Sequence, residues 1–187
     1  MICKIYRNIF KIKDKFLSNI RILHLKMKYP NIEIIGTTYI ARNCEIVCVD
    51  GGKMILKNAH INYGSFVFCA NGAELIIDSA YIGMNSVVVA LEKIHIKPNC
   101  EIAEMVVIRD QDHQHNLSGI PIKEQGFNSN PIIINENVWI GAKATILKGV
   151  EITANSVVGA NAVVTKSIIK PSVVAGTPAK EIIKKIK

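Results

Sequence analysis

Two histidines one residue apart, His113 and His115, close the run Met105-Val-Val-Ile-Arg-Asp-Gln-Asp-His-Gln-His115. A neutral imidazole titrates near pH 6.5, so it can take a proton from a hydroxyl at physiological pH and hand it on. Asp110 and Asp112 stand just before it, close enough in sequence to orient such a ring or to hold hydroxyls of a bound molecule. The other three histidines invite less. His24 falls in a basic N-terminal stretch, and His60 and His95 each precede an isoleucine of a repeating inward pattern, so both should point outward as ordinary exposed residues. A zinc site needs three converging ligands, and His113-Gln-His115 has no third histidine at a matching spacing. Five cysteines (Cys3, Cys44, Cys48, Cys69, Cys100) form no CxxC pair and leave an odd count, which points to free thiols in a reducing cytosol. Cys44 and Cys100 read as small buried hydrophobes. No metal is expected, and no serine or cysteine constellation for covalent catalysis is evident.

The element that must position these groups is a six-residue beat. From Ile132 to Lys180 an aliphatic residue returns at every sixth position, as in Ile134, Ile140, Ile146, Ile152, Val158 and Val164. Neither a helix nor a plain strand has this period; a parallel β-helix does, each repeat being one short strand and one turn. The beat extends back through Ile34, Ile40, Ile46; Ile55, Ile61, Val67; Ile76, Ile82, Val88; and Ile96, Ile102, Ile108. Three hexads make one triangular coil, so about six coils are expected. Extra residues follow the third hexad of the early coils, with turn chemistry at Asp50-Gly51-Gly52 and Asn71-Gly72. A long excursion over 114–133 leaves from the same corner, so all insertions should stack along one edge. His113 ends the hexad that begins at Ile108, at the mouth of that excursion.

Residues 1–30 form a separate unit. Ile2, Ile5, Ile9, Ile12, Phe16, Ile20, Leu23 and Met27 share one helical face, and Lys4, Arg7, Lys11, Lys15, Arg21 and Lys28 lie largely elsewhere. Tyr29-Pro30 ends the helix. Such a helix either caps the open end of the prism or rests, over 1–28, on the inner face of the cytoplasmic membrane. Residues 31–170 then form the β-helix, and 171–187 leave it as a basic tail with a short helical segment. The hydrophobic fraction is 49% with only 6% aromatics, which suits stacked Ile- and Val-rich strands. No apolar run is long enough to span a bilayer and no signal peptide is apparent, so a cytoplasmic protein is expected. The net charge of +8 suits polyanionic ligands or anionic membranes, and nothing resembles a nucleic-acid reader.

Four stretches carry a resemblance: Val138-Trp-Ile-Gly-Ala142, Ile146-Leu-Lys-Gly-Val150, Val158-Gly-Ala-Asn-Ala-Val-Val-Thr-Lys166 and Ala175-Gly-Thr-Pro-Ala-Lys180. With the repeat over 34–170 they resemble the hexapeptide-repeat acyltransferases of the left-handed β-helix fold, nearest to bacterial sugar and polysaccharide O-acetyltransferases. The resemblance implies left-handed coils, a homotrimer with active sites at subunit junctions, and acetyl-CoA as donor. It implies transfer to a sugar hydroxyl of a bacterial surface polysaccharide or its precursor, with an amino sugar, serine or a xenobiotic hydroxyl as alternative acceptors. His113 matches the catalytic general base, with His115 as runner-up. Trp139, Gly141, Ala142 and Ala160 match positions along the pantetheine arm; Thr165, Lys166 and Lys180 match positions near the nucleotide phosphates. An arginine common near the last position is Lys180 here, so that contact would lose bidentate geometry. A γ-type carbonic anhydrase and a non-catalytic scaffold are the remote alternatives.

Overall fold

Strands of two to five residues, each followed by a sharp corner, wind into a left-handed prism of about six coils. The computed structural model describes residues 2–182, with side chains from position 13 onward. The first face stacks Ile32–Ile35, Lys53–Lys57, Glu74–Asp78, Lys93–Ile96, Ile132–Ile134 and Glu151–Ile152, all parallel. The second runs from Tyr39–Ile40 to Val173–Ala175, and the third from Glu45–Cys48 to Val163–Val164. The corners need a left-handed backbone, and the sequence supplies residues that tolerate it. Gly36, Asn58, Ser79, Asn99, Asn137 and Asn155 make the first corner with φ of 46–66°. Asparagine accepts this region because its short polar side chain can bond locally. Met105 and Lys143 adopt it as well, at 59° and 60°.

Fifteen of the eighteen expected inward residues are buried. Ile34 is half-buried at the exposed first coil. Ile55 and Ile76 are corrections: they face outward, while Met54, Leu56, Leu75 and Ile77 are fully buried. The observed register pairs Ile34 with Leu56, Leu56 with Ile77, and Ile77 with Ile96. The first corner is one residue shorter in these two coils, and a shift of one residue turns a strand's faces over. The insertions do stack along one edge, between the third and first faces, at 49–52, 70–73, 91–92 and 110–131.

The C-terminal tail departs from expectation. Val173–Ala175 stays on the second face, paired with Val157 and Val158, and Lys180–Glu181 folds back antiparallel to it. Positions 171–182 contain no helix. A shortened step of four residues leads from Val164 to Ile168, and the six-beat resumes to Val174, both buried. Lys184, Lys185 and Lys187 lie outside the described residues.

The N-terminal helix α1 (Ile2–Lys28) does cover the first coil, but through its polar side. The Ser18 hydroxyl accepts the Ile40 N–H at 2.9 Å, and the Arg21 guanidinium donates to the Ile40 carbonyl at 2.7 Å. Asp14 takes hydrogen bonds from Tyr39 and Arg21. These side chains satisfy an otherwise open strand edge. Ile22, Leu25 and Tyr29 pack on the core beneath.

On the outer second face Tyr39, His60 and Tyr81 stack as successive rungs, with ring centroids 4.6 and 5.0 Å apart. His60 is therefore half-buried rather than openly exposed, and burial holds its imidazole below the ordinary value. His95 is shifted the same way by burial and by Lys97 and Lys93. The unfolded chain thus binds more protons than the folded one as pH falls through about 6.5, so stability should drop on acidification below it. Thermal melts between pH 7.5 and 5.5 should show that decline, and His60→Gln should flatten it. An unchanged slope in the variant would assign the effect elsewhere.

Candidate active site

The long excursion opens as a hairpin. Gln111–His113 pairs antiparallel with Phe127–Ser129, placing His113 opposite Phe127. The two rings lie 4.4 Å apart at 41°, so Phe127 fixes one side of the imidazole. Among the described residues no side chain or carbonyl forms a hydrogen bond with the His113 ring. His115 is exposed, with Nδ1 3.3 Å from the His113 carbonyl. Within the loop the nearly buried Gln125 amide accepts from Leu117 N–H and donates to the carbonyls of Leu117 and Ile120, which makes the excursion a compact unit.

The two acids expected to orient His113 do other work. Asp110 is fully buried, and its carboxylate accepts the backbone N–H groups of Leu91, Glu92 and Lys93 at 2.8–2.9 Å. Burial pushes its carboxyl above the ordinary value, against the downward pull of those three donors. Asp110 thereby clamps the hairpin's root to the preceding coil, and its carboxylate forms no hydrogen bond with the His113 ring. Asp112 is exposed and pairs with Lys148 Nζ at 3.3 Å. Lys148 also donates to the Asn128 carbonyl at 3.1 Å, tying both hairpin strands to the next coil. Nothing in the sequence flagged Lys148.

Beside His113 the hairpin and the outer third face enclose a groove of about 400 Å³. Phe66, Phe68 and Val89 floor it, Phe127 walls it, and Arg109, which forms no ion pair among the described residues, lines it as well. Phe66 and Phe68 stack at 5.9 Å. Gln111 also lines it, and its buried Oε1 has no hydrogen-bond donor. A buried acceptor left open is uncommon and is normally met by a protein group, water or ligand. These outward positions alternate with the inward residues Val67, Val88 and Ile108, so their common face was readable once the register was known.

The expected donor-side residues are spread over other parts of the prism. Trp139 projects from the second face, 56% exposed, stacked between Glu101 and Val157. Gly141 is buried where the next coil passes: a Cβ there would lie 2.6 Å from the Ala160 amide nitrogen. Ala142 is half-buried and Ala160 exposed directly above, with the Ala142 carbonyl accepting from Asn161. Thr165 and Lys166 are exposed past the third face, and Lys180 is exposed on the terminal hairpin. Trp139 and Lys180 thus share the second-face sheet, whereas His113 opens onto the third face. Among the described residues no cluster of three or more His, Cys, Asp or Glu could hold a metal ion.

Comparison with known proteins agrees with this architecture. Residues 131–166 match the family described as bacterial transferase hexapeptide (six repeats). A protein of Mycobacterium tuberculosis named as a probable acetyltransferase is 29% identical over 162 residues, covering 86% of this chain and 54% of its own. WbbJ of Escherichia coli, named for O-acetyl transfer in lipopolysaccharide biosynthesis, is 37% identical over 105 residues, 52% of this chain and 53% of WbbJ. The chain therefore spans about half the length of these relatives. A mutant of AntD, an N-acyltransferase from Bacillus cereus solved with dTDP and coenzyme A, superposes with a TM-score of 0.71 at 18% identity, over 88% of this chain and 89% of AntD. That likeness is one of fold. By its coils, its terminal motifs and these matches, the chain is similar to the hexapeptide-repeat transferases, and the family model itself matches residues 131–166.

Proposed function

We propose that this chain is an acetyl-CoA-dependent O-acetyltransferase acting on a sugar hydroxyl of a bacterial surface polysaccharide or its precursor. The observation that carries the reading is an imidazole with uncommitted nitrogens at the mouth of a groove that has an aromatic floor and Arg109 in its lining. The likeness to WbbJ, which carries an O-acetyl transferase name, supports oxygen as the nucleophile.

In this reading the apolar side of a sugar ring rests on Phe66 and Phe68, while Arg109 meets its polar substituents. His113 removes the hydroxyl proton as the oxygen attacks the acetyl carbonyl. A C–O bond forms, the C–S bond breaks, and the imidazolium returns the proton to the departing sulfur. Trp139, Gly141, Ala142 and Ala160 would line the pantetheine arm, and Thr165, Lys166 and Lys180 would face the phosphates. Gly141 supports this reading because the missing side chain lets the next coil pass close by, which stacks Ala160 over Ala142.

In this reading the protein acts as a homotrimer, and the placement of the two halves on different faces supports it. His113 opens onto the third face and Trp139 projects from the second, so a complete site needs one prism's third face against another's second. Such a head-to-tail contact forms a ring where its rotation closes.

The test is acetyl-CoA turnover across acceptor sugars, read as thiol release with product mass. An acetyl group labile to mild alkali is the expected product. An alkali-stable amide would transfer the reading to an amino sugar, and absence of both turnover and coenzyme A binding would overturn it.

A further inference from the structure

Helix α1 turns its most apolar face to solvent. Phe16, Ile20, Leu23 and Met27 are 64, 49, 59 and 70% exposed. At roughly 100° per residue they lie along one line, and the same steps continue in the sequence through Ile12, Ile9 and Ile5. The opposite line carries Ser18, Arg21 and Leu25, held to Ile40 and the core. The helix cannot roll its apolar line onto the prism without breaking both Ile40 hydrogen bonds and the Asp14–Tyr39 contact.

The rim of the line decides what covers it. By the same periodicity Lys13 and Lys28 flank it on one side, and Lys15 and Lys26 on the other; all four are exposed. Asp14, the single acid between positions 13 and 28, is turned to the prism and engaged by Tyr39 and Arg21. A second copy of this chain, itself at +8, would bring like charge against that rim. An anionic bilayer meets both features at once, taking the apolar line among its acyl chains and the lysines among its headgroups. No described helix is long and apolar enough to cross a membrane, so the contact is in the plane of the surface.

We propose that α1 docks the protein on anionic lipid, with Phe16, Ile20, Leu23 and Met27 inserted and Lys13, Lys15, Lys26 and Lys28 at the headgroups. The surface lies outside the groove and the donor motifs, so the proposal goes beyond the acetyl-transfer reading. Once docked, the first coil is the end of the prism nearest the bilayer.

Co-sedimentation of the full chain with vesicles of phosphatidylcholine alone, or with about one third phosphatidylglycerol, tests it. Binding should favour the anionic vesicles by at least about tenfold and weaken as salt rises from 50 to 500 mM. Phe16→Ser with Leu23→Ser, and separately Lys15→Glu with Lys26→Glu, should each reduce binding at least about tenfold. Because these side chains are exposed, the thermal melt and the oligomeric state should stay as in the parent. Equal sedimentation with both vesicle types, unaltered binding by either variant, or loss of the oligomer in the serine variant would each overturn the proposal, the last in favour of a second copy.

Discussion

Replacing His113 with alanine is expected to slow acetyl transfer by about 10²–10⁴-fold, the usual contribution of a positioned general base. The loss should fall on kcat, with the KM for acetyl-CoA nearly unchanged, because Trp139 and Lys180 lie on another face. His115→Ala should retain most activity: its ring is exposed and its one polar contact is to the His113 carbonyl. Phe127→Ala should lie between them, since it removes the wall against which the imidazole rests while leaving the base in place. Steady-state kinetics of the three variants separates the roles. A full loss in His115→Ala with activity retained in His113→Ala would exchange the two histidines.

The prism was legible in the sequence because one rule, an aliphatic residue at every sixth position, is imposed by a core that admits nothing else. Where two aliphatic residues sit side by side the rule is blind to register, and Ile55 and Ile76 fell on the wrong side for that reason. The corner that launches the hairpin could be read from chain length alone, and it located His113. What lay beyond the reach of sequence is contact between residues far apart in the chain. The clamp from Asp110 to 91–93, the tie from Lys148 to Asp112, and the meeting of Phe66 and Phe68 with Phe127 all join separate coils. The apolar stripe of α1 was evident, but its direction was not: amphipathicity says that one face differs, whereas the hydrogen bonds of Ser18 and Arg21 decide which face meets the prism.

Asp110→Ala should be the most destabilising change near the site, costing about 3–5 kcal/mol. Three backbone N–H groups that now point at one carboxylate would lose their acceptor where the side chain is fully buried. For a chain of this size that corresponds to a fall in Tm on the order of 10 °C. Asp110→Asn keeps one acceptor oxygen but turns an amide donor toward the others, so it should fall between alanine and the parent. Asp112→Ala, whose partner Lys148 it meets at the surface, should cost under about 1 kcal/mol. Hydrogen exchange adds a local readout: the Asn130 amide bonds the Asp110 carbonyl, so loosening the root should expose 111–129 before the coils. A structural clamp and a catalytic acid part company here. If Asp110→Ala keeps its melt within about 2 °C yet loses turnover as His113→Ala does, the carboxylate serves the imidazole after all. If the melt falls and hairpin protection goes with it, lost activity follows from a base that has lost its footing.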